Sequence, residues 1–167
     1  MGKQPLVRMC GRGVMQFRAA VTGQLTPAKY PSFDLDEDRQ GEIIDLVHET
    51  GRDAPLSKVR FEDGSISFIP AILGTRVGSK INFGLESKIK DGNVISIQNI
   101  PDGTIVCNVE KQFGDGGTLI KSAGANATVF SHTDNGVILK MASGKFTKIH
   151  PQNRAMIGTL AGGGVGD

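Results

Sequence analysis

The chain has 167 residues and a formal net charge of +2, with 38% hydrophobic residues, no Trp and a single Tyr. That is room for one ordinary domain or two small ones, with a core of Val, Ile, Leu, Phe and Ala. No apolar run approaches the roughly 18 residues that span a bilayer, and "MGKQPLVRMCGRG" lacks the apolar centre of a secretory signal; the expectation is a soluble, cytoplasmic protein.

Residues 1–33 follow neither a two-residue nor a helical period and carry Pro5, Gly11, Gly13, Gly23, Pro27 and Pro31. They read as an extended arm, disordered until it meets a partner. Residues 1–31 contain Lys3, Arg8, Arg12, Arg18 and Lys29 and no acid, a regional charge of +5. Residues 32–53 reverse the sign to −6, and the remainder of the chain carries +3. An acid-free basic arm suits a phosphate-rich partner. The acidic patch limits such binding to one face. Within that patch "DLDEDRQ" (34–40) reads as a solvated turn or a short helix.

From Gly41 the pattern turns to strands. "EIIDLVHE" is β-rich, and "PLSKVRF" sets Leu56, Lys58 and Arg60 against Ser57, Val59 and Phe61. "EDG" (62–64) is a hairpin turn, since Asp-Gly readily supplies positive φ. "SISFIP" follows with Ile66 and Phe68 on one face, then "SKINFG" and "NVISIQNI", about five strands between residues 41 and 100. A second cluster runs through "PDGTIVCNVE", "NATVFSH", "GVILKMA", "KFTKIH" and "AMIGTLA", with turns at "TDNG" and "ASGK". Turn signals every 8–12 residues indicate small barrels or sandwiches. The two clusters are joined by the glycine-rich "QFGDGGTLIKSAGAN", a connection long enough to be functional or mobile. The expected division is an arm over 1–36, a first β module over 37–100 and a second over 101–167.

Catalytic arrangements are missing. His48, His132 and His150 fall in separate strands and read as packing or capping groups, and no HExxH, GxSxG or phosphate-loop spacing occurs. Cys10 and Cys107 lie outside any CxxC, so no metal or cofactor is expected. Cys107, within "TIVCNVE", reads as a small buried hydrophobe.

Nucleic-acid binding fits better. In "IKSAGAN", Lys121 can neutralise phosphate, Ser122 and Asn126 can bond sugar or base edges, and Gly124 admits close backbone approach; a solvated turn fits the same residues. In "HPQNRAMIGTLAGGGVGD", Asn153 and Arg154 have the same character, Arg154 offering a planar fork of donors. Arg52, in "TGRDAP", sits on a rigid loop, with a salt bridge to Asp53 or Glu49 as the alternative. Because aromatics are few, recognition is expected to lean on phosphate and shape rather than on stacking across a sheet.

Taken in order, "GRG…FRA" (11–19), "GRDAPLSKVRFEDG" (51–64), "GNVISIQNIPDGTIVCNVE" (92–110), "GDGG" (114–117), "KSAGANATVFSH" (121–132), "LKMASGK" (139–145) and "NRAMIGTLAGGG" (153–164) resemble the universal large-subunit ribosomal protein L-two family. The wording is closer to its archaeal and eukaryotic branch. The resemblance implies an all-β chain with an OB-fold-like barrel followed by an SH3-like barrel. It also implies no enzymatic activity, binding to large-subunit ribosomal RNA beside other ribosomal components, support of subunit association and of the peptidyl-transferase region, and a monomer off the ribosome. Carried over by position, Arg154 with Asn153 is the leading RNA-contact candidate, followed by Lys121, Ser122 and Asn126, then Arg52, then Arg12 and Arg18 with Arg8 and Lys3 of the arm. Members carry a basic residue after the Asp-Gly hairpin where this chain has "SISF", which removes one expected contact. Members also continue past the triple glycine into a basic extension, so the glycine run is expected to be a hinge at which this chain is cut. A soluble translation factor with paired β-barrels is the alternative; its barrels would come in the opposite order, with a lysine-tipped loop that this chain lacks.

Overall fold

The computed structural model describes residues 2–18, 22–25, 27–32, 38–84 and 88–164. Ala19 of "FRA", Asp34–Glu37 of the acidic turn and the last three residues lie outside them.

Among the described residues ten strands follow one another: β1 (Arg39–Val47), β2 (Leu56–Phe61), β3 (Ile66–Pro70), β4 (Lys80–Phe83), β5 (Val94–Ser96), β6 (Ile105–Cys107), β7 (Ala127–Thr133), β8 (Gly136–Met141), β9 (Phe146–Ile149) and β10 (Arg154–Ile157). They form a single sheet in the order β3-β2-β1-β4-β5-β10-β6-β7-β8-β9, antiparallel except where β4 meets β5. The only helical pieces among the described residues are three short 3₁₀ turns, and none is long or apolar enough to cross a membrane. The fold class is all-β, an OB-like module followed by an SH3-like one.

Each turn signal does what its chemistry dictates. After β2, Gly64 takes φ +80° while the Asp63 carboxylate accepts from both the amide and the hydroxyl of Ser65, closing the β2–β3 hairpin. Along β2, Val59 and Phe61 are buried and Arg60 is exposed, the alternation expected of a half-covered strand. Leu56, grouped by parity with Lys58 and Arg60, is nevertheless fully buried at the strand's start. Ile66 and Phe68 do share a face, but it is the outer one; Ile69 faces the core.

Two clusters of buried side chains make up the interior. The first joins Ile43, Val59, Phe61, Ile69, Ile81 and Phe83 to Val94, Cys107 and Met156. The second joins Ile95, Ile97, Val106, Val129, Val137, Leu139 and Ile149 to Ala155 and Ile157. Strand β10 is the seam. Met156 stands opposite Val94 on one side and Cys107 on the other, all within the first core. Ala155 and Ile157 point the other way, into the second core with Ile95 and Val106. A strand covered on both faces is mostly apolar, as Ala155, Met156 and Ile157 are, and every residue of β10 is buried, Arg154 included. Neither core closes without strands contributed to the other.

The arm is only partly what its composition suggests. Neither of its 3₁₀ turns buries a residue, and Leu6, Val7, Met15 and Phe17 are exposed. Its root departs from the expectation of disorder. Ala28 and Tyr30 are buried, Tyr30 belongs to the first core, and its amide donates to the Gly116 carbonyl at 2.9 Å.

Candidate nucleic-acid interface

Four stretches far apart in sequence meet at one place. Loop 49–54 follows β1, loop 121–126 precedes β7, loop 160–164 follows β10, and the arm's root lies alongside. The Gly124 amide donates to the Ala161 carbonyl, and the Leu160 amide to that of Ala125. A methyl group on Gly124 would sit 2.6 Å from the Gly163 Cα, and one on Gly162 would sit 3.1 Å from the Asp53 carbonyl oxygen. Glycine is required because two backbones touch there. The first two residues of the triple glycine are therefore packing elements, whereas Gly164 faces open space.

The cations gather around this junction. Arg52 donates from Nε to Glu49 at 2.6 Å, the ion pair weighed as an alternative from sequence, while its side chain stays partly exposed. Glu49 also accepts the Leu25 amide at 3.1 Å, so one carboxylate ties the arm to the loop. The bond from Arg52 is the main reason the Glu49 carboxyl is held below its ordinary range, with the Leu25 amide adding to it against the opposing effect of burial. A cleft of about 360 Å³ lies between arm and loop, lined by Gln24, Leu25, Pro27, Thr50 and Arg52.

Lys121 donates from Nζ to the carbonyls of Ala28 and Gly117, a second tie to the arm's root. Its pKa is lowered first by burial and then by repulsion from Arg52 and Lys29. Lys121 thus stands near two further cations, with Asp115 and Glu49 offsetting part of the repulsion, and a polyanion would offset more of it. Ser122 is exposed and Asn126 half-buried beside them. Below, Asp115 holds the glycine-rich turn: burial pushes its carboxyl up, but bonds from the Gln112, Gly117 and Lys111 amides and the Thr118 hydroxyl bring it below its ordinary value.

Arg154 sits elsewhere in this architecture than a free fork would. It is 8% exposed. Nη2 and Nε donate to Glu110 Oε1 at 2.7 and 3.1 Å, Nη1 donates to the Pro31 carbonyl at 3.0 Å, and the guanidinium lies 5.4 Å from the centroid of the Tyr30 ring. Glu110 Oε2 accepts the Arg154 amide, and Oε1 also accepts that of Gly116. Asn153 is buried, its amide donating to the Glu110 and Lys111 carbonyls. The Tyr30 hydroxyl donates to the Asn108 carbonyl. The structure therefore brings Arg52, Lys121, Ser122 and Asn126 together, sets Asn153 and Arg154 beneath them as a clamp, and leaves Lys3, Arg8, Arg12 and Arg18 exposed on the arm. Sequence reasoning missed Glu110, Tyr30 and the placing of Lys29. A lone acid closing the apolar run "TIVCNVE" was the available signal, because a carboxylate at a core position demands a cation.

The remaining polar candidates are accounted for locally. His132 Nδ1 lies 2.6 Å from Asp102, and His150 Nδ1 accepts the Gln152 amide. Cys107 is fully buried and free, its thiol pushed up to about 12 by burial.

Residues 90–167 match the family model for Ribosomal Proteins L2, C-terminal domain. The whole chain is 69% identical to the large ribosomal subunit protein uL2 of Cenarchaeum symbiosum, of which it covers 69%. The chain belongs to the uL2 family. The uL2 protein of Nitrosopumilus maritimus is 68% identical over the whole chain and 69% of its own length, and that of Sulfolobus acidocaldarius 38% identical over 98% of the chain and 68% of its own length. In these three relatives the likeness runs over 98–100% of the chain, and the region matched by the family model contains the shared strands β5, β6 and β10.

Proposed function

We propose that this chain binds large-subunit ribosomal RNA through the face where loops 49–54, 121–126 and 160–164 meet, with the basic arm extending the contact. As a member of the uL2 family it is a structural constituent of the large ribosomal subunit. The observation that carries the reading is the gathering of Lys121 with Arg52 and Lys29 where loops 49–54, 121–126 and 160–164 are drawn together through Gly124, Gly162 and Gly163. The cations supply phosphate neutralisation, and the packed glycines fix the three loops that present them. Ser122 and Asn126 add neutral donors, and Lys3, Arg8, Arg12 and Arg18 lie along the arm. Asn153 and Arg154 serve this face by holding the arm's root and the 108–121 segment in place.

In this reading residues 1–36 form the arm, 37–100 the OB-like barrel and 101–167 the SH3-like barrel. The role is structural rather than catalytic, exercised on cytoplasmic ribosomes, in support of subunit association and of the peptidyl-transferase region. The test is a double variant, Arg52→Ala with Lys121→Ala, titrated with a large-subunit RNA fragment across about 50–200 mM salt. Each lost phosphate contact lowers the salt slope by about one, so a fall of about two is expected. An unchanged slope and affinity would remove this face from the interface.

A further inference from the structure

The outer face of the second module carries aromatic rings where a solvent-facing sheet would ordinarily be polar. Phe130 and Phe146 are 55% and 57% exposed, yet they contact each other edge to face, with centroids 4.9 Å apart and planes at 65°. Phe130 lies on this face by the alternation of β7, in which Ala127 and Val129 turn inward, and it is the extra residue between the pairs Val129–Leu139 and Ser131–Ile138. Ile105, Thr128, Lys140 and Phe146 stand in register across β6, β7, β8 and β9, and Ile138 and Lys148 form the next row. Ile105 is 45% exposed.

The surrounding charge is mostly positive, with Asp102 held against His132 of β7. Residues 127–149 contain Lys140, Lys145 and Lys148 against Asp134 alone, and none of these lysines forms an ion pair among the described residues. An apolar protein partner would not need three lysines, and a phosphate backbone alone would not need two bare phenyl rings. Unpaired nucleotides need both: a ring to stack on and cations beside it. We infer that the Phe130–Phe146 face is a stacking platform for unpaired RNA bases, with Lys140 and Lys148 neutralising the flanking phosphates. The inference rests on the reading of the chain as RNA-binding, but it shares no residue with the Arg52–Lys121 face.

The test uses the whole chain with a short single-stranded oligouridylate carrying one fluorescent base analogue, beside the ribosomal RNA fragment. Replacing both Phe130 and Phe146 with Ala should weaken oligouridylate binding about tenfold, the scale of one lost base–aromatic stack, and should abolish quenching of the analogue. Replacing both with Tyr should retain quenching, which separates stacking from any loss of folding. Lys140→Ala with Lys148→Ala should lower the salt slope by about two. Quenching and affinity unaltered in the double Ala variant would overturn the platform, as would a variant that changes only self-association in sedimentation. A chain that shows no preference for the ribosomal fragment, yet quenches in a Phe-dependent way, would support the platform while refuting the proposed function.

Discussion

Replacing Arg154 with Ala separates a buried clamp from an RNA finger. The substitution removes three donors from the protein interior: two from Glu110 Oε1 and one from the Pro31 carbonyl. Glu110, fully buried, would keep its carboxylate with only the amides of Gly116 and Arg154's own position as partners. Breaking a buried pair from one side costs about 3–5 kcal/mol, and those two amides place this case toward the lower end. Loss of the cation–π contact with Tyr30 adds about 0.5–1 kcal/mol. The expected total of about 3–5 kcal/mol is a large share of the roughly 5–15 kcal/mol that holds a typical domain together. Urea unfolding followed by circular dichroism measures it. Arg154→Ala combined with Glu110→Ala should cost clearly less than the two single substitutions together, because the uncompensated charge has gone. RNA affinity, measured well below the unfolding midpoint, should change by less than about threefold, below the roughly 1–3 kcal/mol of a lost bidentate contact. A stability loss under about 1 kcal/mol with a tenfold fall in affinity would refute the clamp and make Arg154 a direct contact.

Three further expectations follow from the same geometry. Gly124→Ala forces a Cβ to 2.6 Å from the Gly163 Cα at φ +68°; left-handed strain and overpacking together should cost about 2–4 kcal/mol, and a loss under about 0.5 kcal/mol would mean the loops part easily. Of the two thiols, Cys10 is exposed and Cys107 buried, so a thiol reagent at neutral pH should titrate one group in the native chain and both in denaturant; two fast thiols would contradict the first core. Glu49 is held below its ordinary 4.5, so between the folded and unfolded values the unfolded chain binds more protons. Its contribution is present above that pH and lost as pH falls through the folded value. The stability difference between the native chain and Glu49→Gln should therefore shrink on acidification, and a difference that grew would reverse the assigned ion pair.

How much of this was legible depended on how local the physics is. The strands of both modules followed from two-residue alternation and Asp-Gly or Gly-Lys turns, since side-chain direction and turn φ are properties of a few adjacent residues. Cys107 and the Arg52–Glu49 pair were readable for the same reason. Periodicity says which residues share a face, not which face is covered. Hence alternation puts Ile66 and Phe68 on one face without saying that the face is the outer one, and the position of Leu56 at the strand's start overrides its parity. The seam at β10 required knowing that both neighbours, β5 and β6, come from earlier in the chain. The Arg154–Glu110 clamp spans 44 residues, and its tie to Pro31 spans 123; no spacing rule reaches so far. The side of Phe130 follows from the alternation of β7, but its contact with Phe146 lies two strands away and has no local signal.

If the arm and two modules recognise large-subunit ribosomal RNA, the chain prefers that RNA to others. Binding of the 167-residue chain to a fragment of that RNA, beside an unrelated folded RNA of equal length and over a range of salt, tests it most directly. A preference of at least about tenfold for the ribosomal fragment is expected, with a salt slope reporting several neutralised phosphates. Equal, weak binding to both RNAs would contradict it.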